Sequence, residues 1–94
     1  MKIDQFTEQR IKDVADIVDV VSDFLVLKKK GVNYQCLCPF HDDHHIGSFV
    51  VHPAGNCYRC FSCVAKGGPI DFLMDYAKMS YPDALRWLAK KYSI

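Results

Sequence analysis

The sequence predicts an α+β fold, a small antiparallel β-sheet built around a metal site and flanked by helices, on three observations. Cys38-Pro39-Phe40-His41 and Cys60-Phe61-Ser62-Cys63 stand as two knuckles separated by eighteen residues. Short β-type runs broken by Gly, Pro and Asn surround them, and apolar residues at helical spacing begin and end the chain. Zinc takes four thiolate or imidazole ligands as a tetrahedron; two ligands two residues apart fit one tight turn, and two such turns complete a site. The predicted architecture is a zinc ribbon in a single domain over 1–94, helical over 1–24, ribbon over 25–68 and helical over 69–94.

Spacing favours Cys38, His41, Cys60 and Cys63 as ligands of one structural Zn²⁺. Pro39 suits the first knuckle, because its fixed φ matches the second position of a type I turn and its missing N–H is no loss there. Cys57 is the rival, since Cys57-x-x-Cys60 is a second C-x-x-C; choosing it would strand either Cys63 or the His41 knuckle. Cys36 lies two residues before Cys38, so on a strand it shares that ligand's face and reads as a small buried hydrophobe. His44 and His45 follow Asp42 and Asp43 in a polar turn and read as solvated. Four protein ligands leave no open position for an activated water, and neither paired carboxylates nor a phosphate loop is present, so no enzyme is predicted within this stretch.

The elements follow in order. Thr7 is placed as an N-cap, with Phe6 and Ile11 as a hydrophobic staple, opening a helix to about Val14. Asp16 precedes Ile17, Val18, Val20, Val21 and Phe24 at near-helical spacing, which predicts a second short helix. Phe24 to Lys30 and Tyr34 to Leu37 read as strands across a Gly31-Val32-Asn33 turn. Ser48 to His52 and Cys57 to Arg59 form a second hairpin around Pro53-Ala54-Gly55-Asn56. Pro69 suits a helix N-terminus, with Ile70, Phe72, Leu73 and Tyr76 as its apolar face. Ser80 caps the last helix, Asp83 acts as the capping-box acid, and Ala84, Leu85, Leu88, Ala89 and Tyr92 make one core-facing stripe. Lys90 and Lys91 complement that helix's dipole.

Half of the 94 residues are hydrophobic, enough for one modest core that a metal would reinforce. No long apolar run exists, and the charged start MKIDQFTEQRIKD lacks the apolar centre of a signal peptide, so a soluble cytoplasmic protein with no membrane partner is expected. Five cysteines in that compartment favour metal over a disulfide framework. Net charge is +1 but uneven, at −3 over 1–27, +3 over 28–68 and +1 over 69–94. The positive part is the ribbon.

The run Asp16-Ile17-Val18-Asp19-Val20-Val21, then Lys29, Gly31, Asn33-Tyr34, Leu37-Cys38-Pro39-Phe40-His41, Ser48-Phe49, Cys60-Phe61-Ser62-Cys63, Gly67-Gly68 and Ile70-Asp71-Phe72 resembles the N-terminal zinc-binding domain of bacterial DnaG-type DNA primases. The resemblance covers nearly the whole chain. It implies a zinc ribbon with flanking helices, a Cys-His-Cys-Cys site at Cys38, His41, Cys60 and Cys63, and recognition of single-stranded template DNA when an RNA primer is started. It also implies that nucleotidyl transfer belongs to a separate catalytic domain, acting in cis or in trans, with a replicative helicase as a further partner. Two departures point either to a divergent primase or to a mobile-element or phage relative. Asp42-Asp43-His44-His45-Ile46-Gly47 replaces a Glu-Lys-Thr-Pro-like link, and Val64 stands where a glycine is usual.

The binding mechanism expected is a platform on the ribbon. Lys28, Lys30, Arg59 and Lys66 would follow phosphates, Tyr34 and Tyr58 would stack on unpaired bases, and Asn33 would contact base edges. The alternatives are a zinc-ribbon module docking on replication proteins, which needs no basic platform, and a redox or metal-sensing switch, which needs labile zinc.

Overall fold

The computed structural model describes residues 3–41 and 47–94. Helix α1 spans Gln5–Val14 and α2 Ile17–Ser22. The α1 cap is Asp4, whose carboxylate accepts from the Thr7 N–H at 2.7 Å, so the expected cap at Thr7 is corrected. A carboxylate caps better than a threonine hydroxyl, and it starts the helix earlier. The staple fails with it: Ile11 is fully buried but Phe6 is 80% exposed. The cap expected at Asp16 is present, its carboxylate accepting from the Val18 and Asp19 N–H groups at 2.9 and 3.1 Å.

Five antiparallel strands follow, β1 (Lys28–Lys30), β2 (Asn33–Cys36), β3 (Phe49–His52), β4 (Cys57–Cys60) and β5 (Lys66–Gly67), lying side by side in chain order. The first strand is shorter than expected, because the chain folds back on α2 and Leu25 N–H donates to the Val21 carbonyl at 2.8 Å. Phe24 therefore joins the helices, its ring stacked on Trp87 with centroids 5.6 Å apart. Lys30 pairs with Asn33 across a two-residue turn in which Gly31 has φ +62°, the left-handed geometry that favours glycine. The two expected hairpins are β1–β2 and β3–β4, and the β2–β3 pairing joins them into one sheet. β5 was not expected; two residues carry no readable alternation.

Pro69 opens α3 (Pro69–Asp75), where Asp71 accepts from the Gly68 N–H at 2.8 Å. Ser80 caps α4 (Tyr81–Lys91), accepting from the Asp83 N–H at 3.2 Å. Asp83 itself takes Arg86 at 2.7 Å. Of the predicted stripe, Ala84, Leu85, Leu88 and Ala89 are buried, and the Tyr92 hydroxyl accepts from the Asp16 N–H at 3.0 Å.

Alternation along the strands divides the sheet into two faces. Phe49, Val51 and Tyr58 point toward the helices and, with Ile11, Ile17, Val20, Val21, Phe72, Leu73 and Leu88, make the core. Phe40, from the first knuckle, stacks on Tyr58 at 5.8 Å and meets Phe72 edge-on at 6.1 Å. The metal end of the ribbon is thus packed directly onto the hydrophobic core.

Candidate metal centre and nucleic-acid face

Cys38 and His41 lie beyond β2, Cys60 ends β4, and Cys63 lies in the turn into β5. Their ligand atoms all fall within 4.8 Å of one another, with Cys38 Sγ 3.9 Å from Cys63 Sγ and Cys60 Sγ 3.8 Å from His41 Nδ1. A tetrahedral site with Zn–S near 2.3 Å has edges of about 3.8 Å, whereas a disulfide would bring two sulfurs to about 2.05 Å. The separations therefore fit a metal. In each knuckle the N–H two residues on donates to the first cysteine, Phe40 to Cys38 Sγ and Ser62 to Cys60 Sγ, both at 3.4 Å. Pro39, between Cys38 and Phe40, removes an N–H that neither bond needs.

The electrostatics ask for a cation. Burial, opposed by the Phe40 amide and reinforced by the neighbouring thiols of Cys60 and Cys63, pushes the Cys38 thiol up to about 12. The Ala65 backbone N–H draws the Cys63 thiol below its ordinary value. A dication shared among the three sulfurs and the imidazole would offset the cost of ionising the buried Cys38. Cys57 stands outside this group, on the opposite face of β4, and Cys36 is half-buried, packed against the core and paired in register with Phe49. His44 and His45, with the Asp42–Ile46 part of the altered link, lie outside the described residues. Val64, the other departure, is 95% exposed.

The face away from the helices carries a straight cross-strand row. Lys28 pairs with Gln35, Gln35 with Val50, Val50 with Arg59 and Arg59 with Lys66, one residue from each of the five strands. Lys30 and Asn33 stand beside it, and Lys28, Lys30, Arg59 and Lys66 are all exposed. Five of the seven residues expected on the platform thus share one face. The two tyrosines do not. Tyr58 is 1% exposed and lies within the core, its hydroxyl donating to Asp75 Oδ2 at 3.4 Å, and Tyr34, paired with Val51, is half-buried on the same inner face. Their placement as stacking groups is corrected, since both have strand parity opposite to the lysines.

Among the described residues, an exposed aromatic on the outer side is Phe61, a knuckle residue with no expected role in stacking. Phe61 is 61% exposed and the Arg59 guanidinium sits over its ring, 5.1 Å from the centroid. The signal was available: Phe61 is two residues beyond Arg59, so continued alternation brings it to the same side.

The DnaG-type zinc ribbon profile, described as a CHC2 zinc finger, matches residues 3–94. The chain belongs to this family. It is 51% identical over 84 residues to the DNA primase of Synechococcus elongatus, an alignment covering 89% of this chain and 12% of that protein. It is 46% identical over 88 residues to the DNA primase of Synechocystis, covering 94% of this chain and 14% of that one. The crystal structure of the Aquifex aeolicus primase, comprising its zinc binding and RNA polymerase domains, superposes with a TM-score of 0.86 at 39% identity, over 99% of this chain and 22% of that one. The chain thus spans about an eighth of the length of these curated relatives and corresponds to the primase zinc-binding domain. The five-stranded sheet with flanking helices and the Cys-His-Cys-Cys group are those of a zinc ribbon holding one structural zinc. Among the described residues, no helix is long and apolar enough to cross a membrane.

Proposed function

We propose that this CHC2 zinc finger recognises single-stranded template DNA during RNA primer synthesis, with the outer sheet face as its platform. The observation that carries the reading is the row Lys28–Gln35–Val50–Arg59–Lys66, flanked by Lys30, Asn33 and Phe61. Cations from three strands can follow a backbone laid across the sheet, and one exposed ring can stack on an unpaired base. Zinc fixes the knuckles that hold β2, β4 and β5 at the register this needs. Nucleotidyl transfer then belongs to a primase catalytic domain, joined in cis or met in trans, and the setting is the cytoplasm.

Titration with a short fluorescent single strand at several salt concentrations tests the reading. With about 0.7 counterions released per phosphate contact and four cations on the face, log affinity should fall against log salt with a slope of about −2 to −3. Arg59→Ala or Lys30→Ala should each flatten the slope by somewhat less than one unit. Affinity that ignores salt and survives both changes would discard the platform.

A docking role on replication proteins, a replicative helicase among them, has its own observation. Leu25, Val26 and Leu37 line an apolar groove of about 320 Å³ beside β1, and Val26 is 88% exposed. Lys28 of the platform also lines this groove, so the test uses a neutral change: Val26→Ser should weaken such docking and leave the salt slope for DNA intact.

A further inference from the structure

The outer face is not flat. Where β3, β4 and β5 meet the start of α3 it sinks into an open hollow of about 480 Å³, lined by Cys57, Arg59, Lys66, Gly67 and Asp71 together with His52 and Tyr58. Cys57 is a short side chain between the longer Arg59 and His52, which leaves room above it. Gly67 lets the chain pass close to α3: its φ is +154°, and a Cβ there would lie 2.5 Å from the Asp71 Cβ, so β5 and the Asp71 carboxylate together close that side. The size falls within the range of about 300–1,000 Å³ that small-molecule sites occupy.

Charge is distributed unevenly around it. Arg59 and Lys66 are paired across β4 and β5 and are both exposed. Asp71 stands opposite, at the start of α3, its carboxylate held by the Gly68 N–H at 2.8 Å while keeping further acceptor capacity. A phosphate placed inside would meet that carboxylate, so anionic groups belong beside Arg59 and Lys66. What the interior suits is a flat, neutral, partly apolar group that can donate to a carboxylate. Cytosine, adenine and guanine carry an exocyclic amino group for that purpose, and thymine does not.

We propose that this hollow is a subsite for one unstacked, amino-bearing base of a bound single strand, with the flanking phosphates on Arg59 and Lys66 and the amino group donating to Asp71. The inference rests on the strand-binding reading above and adds to it a position and a base class.

The test uses the zinc-loaded protein, with zinc content checked for every variant, and fluorescent nine-nucleotide strands of cytidine, of thymidine, or of abasic sugar-phosphate throughout. The cytidine strand should bind more tightly than the thymidine strand, and Asp71→Asn, which can still cap Gly68, should remove most of that preference. Cys57→Leu fills the hollow and should weaken the cytidine strand about tenfold, the cost of losing one base contact, while leaving the abasic strand unchanged. Cys57→Ser keeps the space and should behave as the parent. If the parent binds single strands but Cys57→Leu binds them equally well, the subsite is wrong and the platform stands. If the parent binds none of the strands, both fall. Should Cys57→Leu fail to hold zinc, alkylation of Cys57 in the parent decides the matter. Mapped by mass spectrometry, it should slow in the presence of the cytidine strand and not of the abasic one, and equal rates would overturn the proposal.

Discussion

Cys57 and Cys60 are three residues apart on β4, and that odd spacing decides which of them meets the metal. Residues at even separation share a face, so Cys60 joins Phe49 and Tyr58 on the inner side while Cys57 goes to the outer one. Cys60→Ser or Cys38→Ser should therefore abolish zinc binding, and Cys57→Ser and Cys36→Ser should each retain one equivalent by native mass spectrometry. Two metals in the parent, or full zinc in Cys63→Ser, would refute the assignment. Strand parity also separates what is legible in the sequence from what is not. The ligand quartet was legible because coordination chemistry fixes its spacing, and the lysines were legible by charge. Tyr34 and Tyr58 were misplaced because aromatic character alone does not assign a side. Tyr34→Ala should now lower stability by about 1–3 kcal/mol in denaturant unfolding, as for loss of a half-buried ring, and leave the salt slope for DNA unchanged. Phe61→Ala should do the reverse, weakening strand binding by about 1–3 kcal/mol at unchanged slope and stability.

At the scale of elements, a side chain of the ribbon adds a polar tie to the apolar packing that holds the two N-terminal helices on the sheet. Asn56, at the tip of the β3–β4 hairpin, accepts from the Ile17 N–H through Oδ1 and donates to the Ala15 carbonyl through Nδ2, both at 2.8 Å. These bonds take up backbone groups of the α1–α2 link, where the Tyr92 hydroxyl also accepts from Asp16. Asn56 sits at φ +52°, a left-handed geometry that asparagine tolerates better than most residues. Asn56→Ala removes two part-buried bonds and keeps the unfavourable φ, so a loss of about 2–4 kcal/mol is expected in denaturant unfolding. Asn56→Gly should recover the backbone share only. The sequence marked this asparagine as a turn residue, since turn chemistry is local; its partners 39 and 41 residues away are set by packing and leave no local trace. Likewise the caps at Asp16 and Ser80 and the proline start of α3 were readable, whereas β5 exists only because β4 lies beside it.

For the molecule as a whole, the question is what the metal holds together. The core contains no buried polar or charged residue among those described, and its aromatic centre, Phe40, Phe49, Tyr58 and Phe72, is continuous with the first knuckle. Zinc binding in small modules supplies folding free energy on the order of 10 kcal/mol, as large as the whole net stability of many small domains. Chelation should therefore unfold sheet and core together rather than loosen one loop. The tyrosines report this. Burial, with the Asp75 and Asp71 carboxylates adding to it, raises the Tyr58 phenol well above its ordinary value, and burial also raises Tyr92. The fold prefers the neutral phenol, so this contribution to stability is fully present below about pH 10 and is lost as pH rises toward the higher folded-state values. Followed by phenolate absorbance, the zinc-loaded protein should show a late ionisation step that is absent in Tyr58→Phe. After chelation that late step should be lost, as the phenol returns to the ordinary value of an unfolded chain, about 10. A chelated protein that still delays one tyrosine would mean that the core folds without the metal, and zinc would then organise the knuckles alone.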